Sequence, residues 1–210
     1  MRYADPLIPG RLYHLYSRGN NRENLFRRAD DYELFHALMW EHVAPVADIF
    51  AFSFLPNHFH LIARWHDTQD LPDAYRGRPS QPVSNWLNAF VRRTNRERDR
   101  VGALFQRPFG RLPVKDEAHR HVLGVYVHVN PERHGLVSAF REWPYSSLGE
   151  LSSFQATRLQ RDAFFAWYDG RWGFERALRR WDELRSAIAV LEATVPDLGG
   201  LTLRQPGLVS

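Results

Sequence analysis

Residues 49–65 read IFAFSFLPNHFHLIARW, and this stretch decides the fold. Two runs rich in aromatic and β-branched residues lie on either side of Pro56-Asn57, a pair that favours a turn. The pattern predicts two antiparallel strands, 49–55 and 59–65, joined in a hairpin. Directly after the turn, His58 and His60 flank Phe59 and alternate with apolar residues, so we expect both imidazoles on one face of the sheet.

The segments around this hairpin alternate between strand-like and helix-like patterns. Apolar residues recur either at helical spacing or within short aromatic-rich runs. Pro108 lies inside the last of the strand-like runs, which indicates an edge strand or a bulge there. In chain order the predicted elements are a strand at 11–16, a helix at 32–43, the two hairpin strands, a helix from 83, a strand at 103–114 and a helix from the cap Asp116 to just before Pro131.

This order predicts an α+β fold with a ferredoxin-like or RRM-like split βαβ core, in which an antiparallel sheet carries its helices on one face. Helical spacing continues beyond residue 160, which predicts a helical C-terminal extension. The tail from 195 contains glycine and proline and is expected to fray. We therefore divide the chain into a domain at 1–150 and an extension at 151–210.

The composition of the 210 residues excludes several classes of protein. Hydrophobic residues make up 44% and charged residues 25%, which is typical of a folded chain. The sequence has no cysteine, so disulfide scaffolds, cysteine nucleophiles and thiolate zinc sites are excluded. No run approaches the roughly 20 apolar residues of a membrane helix, and the first residues lack the apolar core of a signal peptide. We expect a cytoplasmic protein with no membrane partner.

Positive charge is concentrated in one part of the chain. All basic residues but Lys115 are arginines, and the formal net charge is +4. Between 83 and 115 there are eight basic and two acidic residues, an excess larger than that of the whole chain. Guanidinium groups bind phosphate bidentately, so this region is typical of a protein that binds a polyanion. A solvated helix face or a coding bias toward arginine explains the same composition.

His58 and His60 form a candidate half-site for a metal ion. Alternate residues of a strand share a face, and their Cα atoms lie about 6.6 Å apart, so both imidazoles can reach one ion. Two ligands alone hold a metal weakly, and a pair of structural histidines fits the spacing equally well.

Tyr126 and Asn130 are a second pair, four residues apart on one face of the last predicted core helix. A tyrosine hydroxyl beside a metal-bound phosphate is a plausible nucleophile, and the amide oxygen of Asn130 can complete the ion's shell. Spacing alone also fits a tyrosine that only packs in the core.

These motifs together resemble the single-tyrosine HUH transposases, and most closely their REP-associated tyrosine transposase branch. The similar stretches follow one another in the family's order and cover about residues 9–147. They are YHLYSRGN at 13–20, FLPNHFHLI at 54–62, LFQRPF at 104–109, YVHVNPERHGLV at 126–137 and WPYSS at 143–147.

The resemblance implies a metal-dependent nuclease and strand transferase that acts on single-stranded DNA hairpins of the REP type. It implies that His58, His60 and Asn130 bind Mg²⁺ or Mn²⁺ and that Tyr126 attacks the scissile phosphate to form a 5′-phosphotyrosine link. The usual insertion-sequence members are obligate dimers, whereas the REP-associated members share the longer C-terminal region and often act as monomers. A monomer is therefore favoured over a homodimer.

The resemblance also implies contacts to DNA from arginines and from the first turn. Arginines grip phosphates, and the turn after the first strand is placed to contact bases or backbone. The expected DNA-binding residues are Arg18, Asn20, Arg92, Arg93, Arg96, Arg107 and Arg111.

Two other functions compete with this prediction. The first is a domesticated protein that binds hairpin DNA and cleaves it little or not at all. The second is an RNA-binding module of RRM-like topology, which would carry exposed aromatic residues rather than histidines on its central strands. The sequence has no Walker loop or dinucleotide fingerprint, so we expect no nucleotide cofactor.

Overall fold

The computed structural model describes residues 6–194, and its centre is a four-stranded antiparallel sheet. The strands are β1 (Leu12–Arg18), β2 (Ala47–Leu55), β3 (His58–Trp65) and β4 (Gly110–Pro113), in the order β2-β3-β1-β4. This is the strand order of a ferredoxin-like core, as predicted. The predicted hairpin is β2-β3, in which Leu55 pairs with His58 across the turn.

Eight α-helices accompany the sheet within residues 6–194. The core helices are α1 (Ala29–His42), the short α2 (Asp73–Arg76), α3 (Gln81–Glu97) and α4 (Glu117–Arg133). The extension contains α5 (Leu148–Ser152), α6 (Arg161–Phe165), α7 (Arg171–Arg179) and α8 (Arg185–Thr194). No helix in this part of the chain is both long and apolar enough to cross a bilayer.

The main core lies between the sheet and the layer formed by α1 and α3. Phe59 of β3 points into this layer, where its ring centroid is 4.9 Å from that of Trp86 on α3 and 5.3 Å from that of Phe35 on α1. α3 buries apolar residues between Val83 and Phe90, because they recur at helical spacing on one face. Its opposite face carries arginines.

The helix α4 packs on the other face of the sheet. Neighbouring residues of a strand point to opposite faces, so His60 points away from the layer that Phe59 enters. The ring of Tyr126 on α4 meets that of His60 at a centroid distance of 5.1 Å. The α+β class and the antiparallel sheet are confirmed, and the difference from the expected arrangement is that the helices cover both faces.

The beginning of α4 follows from its sequence, whereas its end differs from the prediction. The side chain of Asp116 accepts a hydrogen bond from the amide of His119 at 2.8 Å, as expected of an N-cap. The helix does not end before Pro131 but continues to Arg133. Proline removes only its own backbone hydrogen-bond donor. The helical turn that follows still forms, because the amide of His134 donates to the carbonyl of Asn130 at 3.0 Å.

The predicted strand at 103–114 is regular only over Gly110–Pro113. The segment before it is irregular but attached to the end of β1: the amide of Asn20 donates to the carbonyl of Leu104, and the amide of Gln106 donates to that of Arg18, each at 2.8 Å. Because Pro108 cannot donate to a ladder, a continuous strand is not formed there.

The extension shares its core with the rest of the chain. The hydroxyl of Tyr168 donates to the carbonyl of His121 at 2.8 Å, and a Cβ at Gly124 would lie 2.1 Å from that hydroxyl oxygen. Gly124 is therefore needed for the close approach of the extension to α4. Trp172, by contrast, is 77% exposed and packs no helix. The division at residue 150 stays a prediction, and the tail from 195 lies outside the described residues.

Candidate active site

Strand pairing places the two histidines of the motif at the centre of the sheet. His60 lies opposite Tyr16 and His58 lies opposite Arg18 on β1. Both imidazoles are fully buried, and their ring centroids are 5.1 Å apart with the ring planes nearly perpendicular. The two side chains therefore share one face, as the alternation in the sequence predicts.

The Nδ1 atom of each of these two histidines makes a hydrogen bond to a neighbouring side chain. Nδ1 of His58 is 2.8 Å from Oδ1 of Asn57. Because an amide oxygen only accepts, Nδ1 carries the hydrogen and Nε2 of His58 is left as an acceptor. Nδ1 of His60 is 2.9 Å from Nε2 of His14. Within residues 6–194, Nε2 of neither His58 nor His60 has a hydrogen-bond partner.

His14 is a member of this site that the sequence did not predict. It is fully buried on β1, and its ring stacks on that of His60 at a centroid distance of 5.1 Å. When Nδ1 of His60 donates to His14, Nε2 of His60 is free to bind a cation, and the ring is fixed in that orientation. The signal in the sequence was a histidine on the same strand face as Tyr16, but only the register with β3 shows its partner.

Tyr126 and Asn130 approach the histidines from α4. The Tyr126 ring packs edge-on against His60, and it lies 6.2 Å from the ring of His14. The Asn130 amide lies beside His58 and Tyr126 and opposes part of the pKa shift of each. Neither amide atom makes a hydrogen bond of good geometry to any described residue. The structure thus brings together the four residues that the motifs single out.

Burial controls the ionisation of these groups. It lowers the pKa of His58 and His60, and the neighbouring imidazoles add to both shifts. Burial raises the pKa of Tyr126, and the carboxylate of Glu192 on α8 adds to that shift. At neutral pH the imidazoles are therefore neutral and the tyrosine hydroxyl keeps its proton.

His134 is a second residue that sequence reasoning missed. Its ring centroid is 5.3 Å from that of His58, and it contributes to the lowered pKa of both motif histidines. It is the C-cap of α4 and follows Asn130 by four residues, about one helical turn. That spacing was the available signal.

The donor set fits a divalent cation of intermediate softness. Two buried Nε2 atoms and a buried amide without good hydrogen bonds are groups that a cation would satisfy. Across residues 6–194 no cluster of three or more His, Cys, Asp or Glu side chains is arranged to hold a metal. An ion here would need further ligands from water or from a bound phosphate. Mg²⁺ prefers oxygen ligands, so two imidazoles leave Mn²⁺ as a competitor for such a site.

The predicted DNA-binding residues near β1 have structural contacts of their own. Nε of Arg18 donates to Oε1 of Gln106 at 2.9 Å, and Arg18 lies beside His58. The side-chain amide of Asn20 donates to the carbonyl of Ala103 at 3.0 Å, which ties the first turn to the segment before β4. Arg18 therefore borders the site, whereas Asn20 holds the loop around it.

The other predicted DNA-binding residues lie toward the α3 side of the sheet. Arg92, Arg93 and Arg96 are exposed on α3, and Arg93 pairs with Glu97. Arg107 donates to Oδ1 of Asn88 at 2.7 Å. The guanidinium of Arg111 lies 5.0 Å from the centre of the Phe109 ring.

Comparisons with known proteins give two matches that bear on this arrangement. No protein-family model matches the chain. It is 28% identical over 101 residues to a Haemophilus influenzae protein named "Putative REP-associated tyrosine transposase", and the match covers 46% of this chain and 56% of the relative. A solved structure of a REP-associated tyrosine transposase bound to a REP hairpin aligns with a TM-score of 0.54 and 20% identity, over 71% of this chain and 84% of that chain.

The predicted resemblance to REP-associated tyrosine transposases is confirmed. At 20% identity, the likeness to the solved REP-associated transposase shows a shared fold. The α+β architecture expected from the sequence is thereby confirmed a second time.

Proposed function

We propose that this protein binds single-stranded DNA hairpins of the REP type and cleaves and rejoins them through a covalent link to Tyr126. The observation that carries the proposal is the convergence of His58, His60, Tyr126 and Asn130 in one buried cluster. These side chains come from two elements, β3 and α4, that are separated by more than 50 residues of sequence. The hairpin bound to the structural relative supports the choice of DNA substrate.

In the proposed reaction, Oη of Tyr126 attacks the scissile phosphorus. An O–P bond to tyrosine forms while the bond to the 3′ oxygen breaks, and the products are a 5′-phosphotyrosine and a 3′ hydroxyl. Attack by a 3′ hydroxyl on the phosphotyrosine reverses the bond changes and rejoins a strand without ATP. Since the raised pKa of Tyr126 keeps the hydroxyl protonated at neutral pH, Oη loses one proton as the O–P bond forms, and the departing 3′ oxygen gains one proton to become the hydroxyl.

Three side chains would hold the cation that this chemistry uses: His58 and His60 through Nε2, and Asn130 through its amide oxygen. A bound Mg²⁺ or Mn²⁺ would supply Lewis-acid polarisation of the scissile phosphate. His14 and Asn57 fix the orientation of the two imidazoles through Nδ1, so little reorganisation is needed when the cation binds.

One observation favours a second candidate, a hairpin-binding protein with little or no cleavage. Tyr126 is only 1% exposed. A phosphate reaches its hydroxyl only after the segments around it move, and a protein that has lost cleavage has no need of that movement.

The two candidates are separated by incubating the protein with 5′- and 3′-labelled hairpin oligonucleotides from palindromes that flank its own gene. Mg²⁺, Mn²⁺ or EDTA is added in parallel, and Tyr126→Phe is the matched control because it removes only the hydroxyl. We expect a metal-dependent nick with protein attached to the 5′ end at the cut, absent from Tyr126→Phe. Hairpin binding without a nick supports the second candidate, and a nick that survives in Tyr126→Phe contradicts covalent attack by this residue.

A further inference from the structure

A cavity opens at the β4 edge of the sheet, between α3 and the segment 104–111. Its volume is about 340 Å³. This lies within the range of about 300–1,000 Å³ that is typical of pockets for small organic groups. We call it the β4-edge pocket, and it is separate from the cluster around Tyr126.

The lining of the β4-edge pocket combines apolar walls with a few neutral polar groups. Leu87 and Phe105 are among its apolar residues, and the amides of Asn88 and Gln106 are among its polar ones. An amide presents both a donor and an acceptor, as the edges of nucleobases do. Apolar and aromatic walls suit the flat face of a base.

The charge of the lining favours an anionic ligand. Arg107 and Arg111 border the cavity, and among residues 6–194 no acidic side chain lines it. The guanidinium of Arg107 is tied to Asn88, which holds its positive charge at the rim. A nucleotide fits this arrangement, because its base is neutral and its phosphate is anionic.

The position of the pocket connects it to the candidate active site. Gln106 in the lining accepts a hydrogen bond from Arg18, which lies opposite His58 on the sheet. On the other side, Asn88 is followed at intervals of four residues by the exposed Arg92 and Arg96. Residues four apart share a helix face, so the pocket continues into a stripe of positive charge. A strand that leaves the Tyr126 cluster past Arg18 reaches the pocket first and this stripe next.

We infer that the β4-edge pocket takes one unpaired base of the bound DNA, next to the hairpin stem. The inference rests on the proposed hairpin binding and adds a place where the protein itself contacts a base. It makes one position of the single-stranded flank more important than its neighbours.

The test is an abasic scan of the flank. Hairpin oligonucleotides with one abasic nucleotide at each flank position in turn are bound to the protein in EDTA, and affinity is measured by fluorescence anisotropy. We expect one position to weaken binding roughly 5- to 150-fold, since stacking of a base on a protein contributes about 1–3 kcal/mol.

Two variants of α3 make the test specific to the pocket. Ser84→Phe places a bulky ring where Ser84 lines the cavity, and Ala89→Phe places the same ring on α3 at a half-buried position outside the lining. In Ser84→Phe the sensitive abasic position should lose its effect, whereas Ala89→Phe should behave like the wild type. Thermal unfolding of both variants checks that they fold.

A second measurement needs no variant. 2-Aminopurine at the sensitive position should become protected from acrylamide quenching when the wild-type protein binds, and at neighbouring flank positions it should not. Equal effects at all flank positions, or the same sensitivity in Ser84→Phe, would overturn the inference. If no hairpin is bound at all, the proposed function fails instead, so the two failures are distinguishable.

Discussion

Acidification should destabilise this protein because several imidazoles are buried in a neutral state. His14, His58, His60 and His128 are all fully buried, and burial lowers the pKa of each. The pKa is lowered to about 3 for His14 and to about 4 for His128. Nδ1 of His128 donates to the carbonyl of Gly124 at 2.7 Å, which opposes part of the shift, but burial outweighs it.

The magnitude follows from the difference between the folded and unfolded states. In the unfolded chain each imidazole takes up a proton below a pH of about 6.5, whereas in the folded chain His128 stays neutral down to about pH 4. The unfolded state therefore binds more protons in this window, and stability falls by about 1.4 kcal/mol per pH unit for each histidine. At pH 5 the loss is about 2 kcal/mol for each, or about 4 kcal/mol for His14 and His128 together. A loss of about 4 kcal/mol is a large fraction of the about 5–15 kcal/mol that is the usual stability of a domain.

Urea unfolding at pH 7, 6 and 5 measures this loss, with EDTA present so that no metal holds the imidazoles. His128→Gln removes one titrating group and keeps side-chain donor and acceptor atoms, so its pH slope should be smaller by about 1.4 kcal/mol per pH unit. If the free energy of unfolding changes by less than about 1 kcal/mol between pH 7 and 5, the buried neutral imidazoles do not control acid stability. An unchanged slope in His128→Gln would refute the assignment to this residue.

Three further substitutions test other parts of the structure. His14→Phe removes the partner of Nδ1 of His60 and should weaken Mn²⁺ binding about 10- to 100-fold, measured by electron paramagnetic resonance titration, with His14→Gln restoring part of the affinity. Gly110→Ala places a Cβ 2.1 Å from ring carbons of Tyr16 and should destabilise the protein by about 1–3 kcal/mol in urea unfolding. Asp31→Ala removes a buried carboxylate that forms an ion pair with Arg98 at 2.7 Å and accepts hydrogen bonds from two backbone amides just before α1. Its loss should lower the free energy of unfolding by about 3–5 kcal/mol, measured in the same way. If Gly110→Ala or Asp31→Ala loses less than about 1 kcal/mol of stability, the contact that it was designed to disturb is contradicted. If folded His14→Phe binds Mn²⁺ with unchanged affinity, the role of His14 in orienting His60 is contradicted.

Local patterns in the sequence were sufficient for much of the fold. The hairpin was predictable because a two-residue turn joins two runs rich in aromatic and β-branched residues. The start of α4 was predictable because a cap depends on residues three apart, as the bond from His119 to Asp116 shows. Tyr126 and Asn130 were assigned to one face for the same reason, since helical periodicity is a property of the segment alone.

What the sequence could not supply was contact between distant segments. The bond between His14 and His60 depends on the register of strands 46 residues apart, which no local pattern reveals. The face of the sheet that α4 occupies depends equally on tertiary packing, because its buried residues lie nearly all round the helix. The segment before β4 was assigned to a strand from its apolar residues, whereas its hydrogen bonds run to the end of β1.

The polar cluster itself is an argument that the site exists to bind something. A buried donor or acceptor that lacks a partner costs about 1–3 kcal/mol of stability. Within residues 6–194, Nε2 of His58, Nε2 of His60 and the Asn130 amide are such groups, and apolar side chains of similar size would avoid their cost. His14 and Asn57 meanwhile hold the two rings with these Nε2 atoms directed into the cluster. The fold thus loses stability at the atoms that a cation would bind, and the surrounding hydrogen bonds fix the orientation of these atoms. Such an arrangement is typical of a functional site, because a core selected only for stability would not keep it.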